Sequence, residues 1–379
     1  MEQRAPPRPP GKCRGRARRA ALLAGLAAAT ILVLPLLPRA AEELRYFRIG
    51  TASPTGTYFQ IGGVLANIIS KPPGARDCDR GGSCGVPGLV AVAQATQGSI
   101  DNAALVANGQ LESALVQNDI AHWAFDGNLP PAPSCARSEM ASAAPALSTR
   151  GPLKNLRVIA ALFPEHLHVV ARAGLRIHRL ADLRGLRVGM GEVGSGTLAD
   201  ARLVLAAVGL SECDVKAEYQ TLAQAAAAMA AGKLDALFIV GGYPVPALMD
   251  LASTTKVQLV PLPERVVKRL QSRFSFFISS EIPRATYPGI DTATPSVSLT
   301  ALWLVGAQVP DDLVYALTGA LWQEATRRLL DGGHPAGRRI LLTTAFAGMS
   351  DVPLHPGAAR WYREAQMIAP GKPNETKSR

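Results

Sequence analysis

The sequence predicts a two-lobed α/β fold with a ligand cleft between the lobes, and three observations support this class. Apolar strand patterns alternate with helical patterns along most of the chain, which is typical of largely parallel sheets covered by helices. Even without its first 41 residues, the 379-residue chain is too long for one compact core. One plan of strand, turn and helix also occurs twice in the sequence.

The individual elements follow one another in a regular order. In the first half we expect strands at 46–50, 90–93 and 113–116, and helices at 58–69 and 100–107. In the second half we expect strands at 156–163, 166–172, 187–190 and 234–240, and helices at 180–184, 198–208 and 221–231. Capping residues mark the helix starts and glycines mark several helix ends. The proline-rich stretch 127–152 is expected to be a surface loop.

The repeated plan joins the two halves. Arg-Ile-Gly at 48–50 leads through a polar turn to Gly-Thr at 56–57 and a helix. Arg-Val-Gly at 187–189 leads in the same way to Gly-Thr at 196–197 and a second helix. Further along, 108–114 matches 231–237, and each of these stretches precedes an apolar strand. The repeat predicts two lobes built on one plan.

This plan also predicts the kind of site. A turn that follows a strand and opens a helix presents free backbone N–H groups and the positive end of the helix, which together hold an anion. In open α/β sheets, ligands bind outside the carboxyl ends of the strands. The expected strand tips lie at 51–58, 117–119, 191–197 and 241–244. A small anionic solute between two facing lobes is therefore the expected ligand.

Residues 1–41 have the order of a secretory signal peptide. An apolar stretch at 20–37 leads to the small-residue exit Pro38-Arg39-Ala40-Ala41, and the charged Glu42 and Glu43 follow. The basic region before the stretch contains Arg14, Arg16, Arg18 and Arg19. We expect cleavage after Ala40 or Ala41 and a periplasmic protein. The alternative is an uncleaved segment that anchors the N-terminus in the inner membrane.

The net charge of +11 is concentrated in the signal segment. Residues 1–41 hold eight of the 40 basic residues and one of the 29 acidic residues, which leaves a net charge of +4 for the remainder. No basic stripe with interleaved aromatic residues remains, so nucleic acid is not an expected partner. The mild positive balance suits an anionic solute. No cofactor is expected.

Four cysteines follow the signal segment: Cys78, Cys84, Cys135 and Cys213. We expect a disulfide between Cys78 and Cys84, since they bracket a short loop and an exported protein reaches an oxidising compartment. The alternatives are two unpaired thiols or half of a metal site. No His or second Cys pair stands nearby to complete a zinc site, so no metal is expected. The sequence does not decide whether Cys135 and Cys213 are free thiols.

One pattern would fit a nicotinamide-dependent enzyme. Gly189-x-Gly191-x-x-Gly194 matches the dinucleotide fingerprint, and Asp214 stands about 20 residues further on. The loop, however, continues to Gly196 before the helix begins, which is too long for the tight turn of that motif. An exported protein is also separated from the nicotinamide pool. The enzymatic interpretation is therefore the alternative, not the expectation.

A second pattern would fit acid–base chemistry. His166 and His168 alternate on an expected strand, directly after Glu165, so both imidazoles lie on one face. A packed, hydrogen-bonded pair near a hinge is the more common outcome for such residues. The sequence contains no Ser/His/Asp or Cys/His set in a recognisable elbow. We expect a binding protein without catalytic residues.

Five separated motifs give the chain a family resemblance. They are the stretches 50–58, 115–119, 194–197, 286–289 and 354–359, which read GTASPTGTY, LVQND, GSGT, TYPG and LHPGAA. In this order they resemble the TAXI family, the extracytoplasmic proteins associated with TRAP transporters. The resemblance runs from about residue 46 to 367. It implies a periplasmic-binding-protein-like (type II) fold and a TRAP-type membrane transporter as partner.

The resemblance also implies the solute and its contacts. Members of the family bind small acids similar to glutamate, glutamine or 2-oxoglutarate. Carried over motif by motif, the expected ligand-binding residues are Ser53, Thr55, Gly56, Thr57, Tyr58, Gln117, Asp119, Ser195, Gly196, Thr197 and Tyr243. Some of these residues also have a purely structural alternative. Ser53 and Thr55 could cap a helix, Tyr58 could be a core aromatic residue and Asp119 could form an Asx turn.

The expected organisation follows from these observations. Lobe one takes residues 44–165 and the return segment 262–379, and lobe two takes 166–261. Two chain crossings then form the hinge, and closure buries the solute. We expect a monomer that delivers its solute to the TRAP-type transporter. A partner of the ABC type, or a sensor, is the alternative within the same binding fold.

Overall fold

The computed structural model describes residues 44–130, 151–349 and 351–368. The expected signal peptide at 1–41, Cys135 and most of the expected 127–152 loop lie outside the described residues. The strands are β1 Arg45–Gly50, β2 Ser70–Lys71, β3 Val86–Pro87, β4 Leu89–Gln94, β5 Ser113–Gln117, β6 Leu156–Arg172, β7 Arg187–Gly189, β8 Lys216–Glu218, β9 Ala236–Gly241, β10 Val257–Leu259, β11 Ile278–Ile282 and β12 Thr294–Gly306.

Ten α-helices accompany these strands in the described ranges. They are α1 Thr57–Ile69, α2 Ser99–Ala107, α3 Asn118–Asp126, α4 Gly196–Ala207, α5 Leu222–Ala230, α6 Pro246–Thr254, α7 Glu264–Gln271, α8 Asp311–Trp322, α9 Arg327–Gly333 and α10 Pro356–Glu364. Single 3₁₀ turns lie at Cys78–Arg80, Leu180–Leu183, Glu212–Asp214, Glu324–Thr326, Pro335–Arg339 and Leu342–Thr344. None of these helices combines the length and hydropathy that a bilayer span requires. The α/β class predicted from the sequence is confirmed.

The described strands form one curled sheet with a repeated plan on its two sides. On one side β1 lies between β4 and β5 and pairs with both in parallel. On the other side β7 lies between β8 and β9, again in parallel. The main path of the sheet is β3-β2-β4-β1-β5-β12-β6-β9-β7-β8. The repeat that the sequence predicted is therefore present as two sister three-stranded units, and the two-lobed arrangement is confirmed.

The long strands β6 and β12 join the two units. β12 pairs antiparallel with β5, and β6 pairs antiparallel with β12 over its first part and with β9 over its second part. The sequence analysis expected two strands split at Pro164 and Glu165, which is wrong: β6 is a continuous strand of 17 residues. Pro164 lies opposite Thr300, next to a register shift between Thr300 and Leu302. Such an irregularity admits a proline inside a sheet, because the ladder is already interrupted there.

Sister ion pairs close the start of each parallel unit. The guanidinium group of Arg48 donates to both carboxylate oxygens of Glu112, at 2.9 and 2.6 Å, and its backbone N–H donates at 2.7 Å. Arg187 donates to Asp235 in the same three ways, at 2.9, 2.5 and 3.0 Å. Both acidic residues also accept charge-assisted hydrogen bonds, which are stronger than neutral ones. The duplicated sequence thus fixes the same contact twice.

The turns before these acids are also duplicated. Gly109 and Gly232 both adopt a φ of +71°, the left-handed conformation that favours glycine after a helix. Gly109 follows α2 and Gly232 follows α5. The two helices of the repeat therefore end in the same way.

Four apolar clusters fill the space between the sheet and its helices, and two of them are largest. One contains Phe47, Ile61, Leu162, Trp303 and Tyr362 and lies under α1 and α8. The other contains residues of β6, β7, α4 and α7. Leu262, Val266, Val267, Leu270 and Phe277 pack in this second cluster. The sequence-based division placed residues 262–277 in lobe one, whereas their side chains pack with the β7 unit.

The expected disulfide between Cys78 and Cys84 is present, and the Cα atoms of the two residues lie 4.6 Å apart. It closes an exposed loop between β2 and β3. Cys213 is also disulfide-bonded, so the open alternative of a free thiol does not apply to it.

Candidate functional site

A cavity of about 90 Å³ lies between the two sister units, at the carboxyl ends of β1, β5, β7 and β9. By volume it has room for several water molecules or a small solute. Eight of the eleven predicted contact residues line it: Ser53, Gly56, Thr57, Tyr58, Gln117, Ser195, Gly196 and Thr197. Three of the four predicted strand tips, 51–58, 117–119 and 191–197, therefore meet at the cavity. The fourth tip, 241–244, contributes only Gly241 to the lining.

The first wall of the cavity is the turn between β1 and α1. Gly56 is the N-cap of α1 and has no side chain with which to cap it. The hydroxyl groups of Ser53 and Thr55 share a hydrogen bond of 3.2 Å and do not cap the helix either. The first-turn amides of a helix have no intrahelical acceptors. The turn consequently presents backbone donors at the positive end of α1.

The opposite wall is the turn between β7 and α4, and its hydroxyl groups are already in use. Ser195 caps α4 by accepting a hydrogen bond from Leu198 N at 3.1 Å, and its hydroxyl donates to Glu192 O at 2.7 Å. Thr197 Oγ1 accepts from Val240 N at 3.2 Å. Both side chains therefore hold the turn in position. Their hydroxyl oxygens can bind a solute only through the hydrogen-bonding capacity that these contacts leave unused.

Hydrogen bonds join the two sister units directly. Thr57 Oγ1 donates to Gly242 O at 2.7 Å. The backbone N–H groups of Ile100 and Asp101, at the start of α2, donate to Gly194 O at 3.0 and 3.1 Å. These contacts span the cavity from one sister unit to the other. The described conformation is therefore one in which the two lobes are closed on each other.

Tyr58 and Glu165 form a polar contact at the base of the cavity. The Tyr58 hydroxyl donates to Glu165 Oε2 at 2.7 Å, and both residues line the cavity. Loss of solvation on burial, reinforced by the charge of Asp119, raises the pKa of Glu165 to about 8. Sequence reasoning missed Glu165 because it was read as part of a strand break. The signal was the one acidic residue of a largely apolar strand.

The remaining polar lining is acidic or neutral. The described residues around the cavity include Glu192 and three glutamines, Gln97, Gln117 and Gln220, but no Lys, Arg or His. Burial, together with the nearby charge of Asp101, raises the pKa of Glu192 to about 7. The carbonyl oxygen of the Gln220 side chain is buried without a protein donor. The cavity thus combines acceptors from side chains with donors from the backbone.

The apolar part of the wall comes from α5 and β9. Leu222, Ala225 and Phe238 line the cavity from this side.

Asp119 does not line the cavity. It lies in the first turn of α3, fully buried, and neither of its carboxyl oxygens receives a well-formed hydrogen bond from the described residues. Burial raises the pKa of Asp119 to about 6. The Gln117 side chain, two residues before Asp119, lines the cavity and donates to Asp200 Oδ2 at 2.5 Å. The predicted Asx turn is absent as well, since Asp119 is within a helix.

Thr55 and Tyr243 also lie outside the lining. Thr55 O accepts a hydrogen bond from Ala247 N at 3.2 Å, which holds the turn to α6. The ring of Tyr243 stacks under the guanidinium group of Arg339, 4.4 Å from its centroid, and against His166 at 4.5 Å. The prediction that Tyr243 contacts the solute is not supported by this geometry, because its ring faces the return segment of the chain.

The two histidines form a buried structural group, as the sequence analysis expected. His168 Nδ1 lies 2.8 Å from His166 O, and His168 Nε2 lies 2.9 Å from the Tyr287 hydroxyl. His166 Nε2 lies 3.0 Å from Ser280 Oγ. Burial lowers the pKa of His166 to about 3 and that of His168 to about 4. Neither residue lines the cavity.

Comparison with known proteins defines the class of this chain. Residues 49–365 match the model of the NMT1-like family. Because this match covers most of the sequence, the chain belongs to the NMT1-like family.

Several solved structures are similar at the level of the whole chain. MatC from Rhodopseudomonas palustris with bound malate is 16% identical, with 85% of this chain and 98% of that chain covered and a TM-score of 0.48. The periplasmic aliphatic sulphonate binding protein SsuA from Escherichia coli is 15% identical, with 75% and 72% covered and a TM-score of 0.39. Tv2483 bound to L-arginine is 13% identical, with 79% and 95% covered and a TM-score of 0.42. At these identities and TM-scores, the likeness does not extend to the solute of this chain.

Proposed function

We propose that this chain is an exported solute-binding protein of the TAXI type, which captures a small carboxylate or amino acid and delivers it to a TRAP-type membrane transporter. The observation that carries the proposal is the cavity between two sister strand–turn–helix units, bridged by hydrogen bonds from one unit to the other. A site shared between two lobes lets the solute stabilise the closed state. The motifs at 50–58, 115–119 and 194–197 meet at this cavity and support the TAXI assignment.

A carboxylate fits the wall formed by the start of α1. The amides of the first turn and the positive end of the helix favour negative charge without a basic side chain. We assign the eight lining residues of the predicted set as the ligand-contact set. Ser53, Thr57 and Tyr58 are its side-chain members on this wall.

An ammonium group fits the opposite, acceptor-rich part of the cavity. Glu165 and Glu192 carry carboxyl groups there, and the unpaired oxygen of Gln220 lacks a donor. The described lining contains carboxyl groups and no basic side chain, so it matches an ammonium group on the solute and offers no matching charge to a keto group or a further carboxylate at that position. A solute with one carboxylate bound at α1 and an amine near Glu192 satisfies both walls. Glutamate and glutamine are therefore favoured over 2-oxoglutarate and the C4-dicarboxylates.

The lobes move as units in this proposal. We propose that lobe one comprises residues 44–165 and the end of the chain, and that lobe two begins at 166. Because residues 262–277 pack with the β7 unit, we extend lobe two beyond 261, to the start of β12. The hinge then consists of β6 and β12, which are the two strands that run through both units.

Thermal-shift measurements against matched solutes test the proposal. A solute that binds only the folded protein stabilises it by about 2.7 kcal/mol at a hundredfold excess over Kd. L-Glutamate and 2-oxoglutarate differ only in an amine and a keto group, so the pair isolates the ammonium contact. We expect glutamate or glutamine to stabilise the protein and 2-oxoglutarate to do so less. A larger effect of 2-oxoglutarate would remove the ammonium assignment. No effect of any of these solutes or of C4-dicarboxylates would overturn the proposed solute class.

A further inference from the structure

Two buried aspartic acids meet at the boundary between the sister units. Asp119 comes from α3, which follows β5, and Asp200 comes from the second turn of α4, which follows β7. Both side chains are fully buried, and their carboxyl groups face each other. Gln117 of the first unit also donates to Asp200 Oδ2, at 2.5 Å. The contact exists only while the two units are together.

The pair lacks the donors that two carboxylates need. No well-formed hydrogen bond from the described residues reaches either oxygen of Asp119 or Oδ1 of Asp200, and the backbone N–H groups of Asp119 and Ile120, which favour the ionised form of Asp119, do not outweigh its burial. Two ionised carboxylates in contact and out of water are strongly disfavoured, so such a pair retains a proton. A hydrogen bond from one carboxyl group to the other then satisfies the orphaned oxygens.

The surrounding elements supply no positive charge to replace that proton. The titratable group acting on the pair from β6 is the carboxyl group of Glu165, and from α1 the phenol of Tyr58 lies nearby. On α3, His122 faces Asp126 and Asp351 instead. On α4, Arg202 is paired with Glu212 at 2.7 Å. The environment of the pair is therefore acidic on every described side.

Separation of the units would return both carboxyl groups to water. There an aspartic acid has a pKa of about 3.9 and is ionised at neutral pH. We propose that closure of the lobes takes up a proton at the Asp119–Asp200 pair, so that the solute is held more tightly as the pH falls. This inference rests on the proposed function, because solute binding is what closes the lobes.

The direction of the coupling follows from linkage. Burial raises the pKa of Asp119 to about 6, and burial together with the charge of Asp119 raises that of Asp200 well above its usual value. In the pH range above the open-state pKa and below the closed-state pKa, closure binds one proton. The Kd for the solute should then rise about tenfold for each pH unit in that range. Alkaline conditions favour opening and release.

Calorimetry measures the proton directly. We would titrate the protein with L-glutamate, or with 2-oxoglutarate if only that solute stabilises it, at pH 7 in phosphate and in Tris. The difference in binding enthalpy between buffers of different ionisation enthalpy gives the protons taken up. We expect about one proton for the wild type and a clearly smaller number for Asp200→Asn and Asp119→Asn. Asp182→Asn, at an exposed acid paired with Arg179, is the matched control and should resemble the wild type.

The outcomes are distinct from those of the proposed function. Binding without proton uptake in the wild type would overturn the inference and leave the proposed function standing. A Kd that falls with added NaCl at constant ionic strength would also overturn the inference, since Na⁺ would then take the place of the proton. If no solute binds, small-angle scattering of the ligand-free protein at pH 5 and 8 provides the test. We expect a smaller radius of gyration at pH 5, and no pH dependence in Asp119→Asn/Asp200→Asn. A wild-type radius unchanged by pH would overturn the inference.

Discussion

The phenolic hydroxyl of Tyr58 donates a hydrogen bond of 2.7 Å to the carboxyl group of Glu165, and this contact joins α1 to the strand that runs through both lobes. Tyr58→Phe removes the donor and leaves the ring in place. Since a buried acceptor then lacks its partner, we expect a loss of about 1–2 kcal/mol in the free energy of unfolding. Urea denaturation of the variant and the wild type measures this difference in the free energy of unfolding. An unchanged midpoint would show that water replaces the hydroxyl.

The protonation of Glu165 predicts a pH dependence of stability. Burial raises the pKa of Glu165 to about 8, above the value of about 4.3 expected in the unfolded chain. The folded state therefore binds the proton more tightly, and this group destabilises the fold progressively as the pH rises from about 4 to about 8. Glu165→Gln mimics the protonated form, so its stability relative to the wild type should increase from pH 5 to pH 8. Glu281→Gln, on the exposed part of β11, is the control. A parallel pH dependence of both variants would contradict the prediction.

Gly196 is predicted to be essential for closure. A methyl group at this position would overlap the side-chain amide of Gln117, which links the two units through Asp200. We expect Gly196→Ala to fold but to lose solute binding by tenfold or more, because Gln117 must move into the cavity. Gly63→Ala is the matched control, since Gly63 lies in α1 with open space around it. That variant should bind normally and gain up to about 1 kcal/mol of stability.

The sister ion pairs predict matched effects in the two lobes. Glu112→Gln and Asp235→Asn each remove the charge that accepts from an arginine side chain and backbone. We expect each to cost about 1 kcal/mol, since both pairs are partly exposed. The double variant should show the sum within about 0.5 kcal/mol, because distant sites are additive. Solute affinity should not change. The exposed helix pair broken by Glu264→Gln should have no measurable effect.

The disulfide between Cys78 and Cys84 predicts a stability effect without a functional one. Closing a loop this short removes chain entropy worth about 2 kcal/mol from the unfolded state. Cys78→Ser/Cys84→Ser should lower the free energy of unfolding by about that amount. Because neither residue lines the cavity, the Kd for the solute should stay the same. A weakened Kd would indicate that the loop contributes to closure.

Much of the fold could be predicted because the duplicated plan leaves local signals. Glycines such as Gly109 and Gly232, and the Arg-x-Gly ends of β1 and β7, are read directly from the sequence. The cavity between the sister turns followed from the same pattern. Pro164 was misread, because a proline normally breaks a strand and the register shift opposite it is set by another part of the chain.

The acidic residues of the site were harder to predict. Glu165 lies outside the five motifs and Asp200 lies three residues after the motif at 194–197, and each acquires its role from a partner on another element, Tyr58 and Gln117 respectively. Asp119 was identified, but as a ligand contact, whereas it is fully buried outside the cavity lining. Tyr243 was placed by analogy with the other strand tips, and its stacking on Arg339 depends on a distant segment. Periodicity does not encode such pairings.

The position of β12 has a consequence for the synthesis of the protein. In the sheet this strand lies between β5 and β6, so in the described strand order the unit made first is joined to β6, and through it to the unit made second, by way of β12. In the sequence it occupies Thr294–Gly306, near the end of the chain. A growing polypeptide therefore cannot complete its sheet until most of it has left the ribosome. For a protein proposed to cross a membrane before folding, a sheet that is completed this late suits export of the unfolded chain.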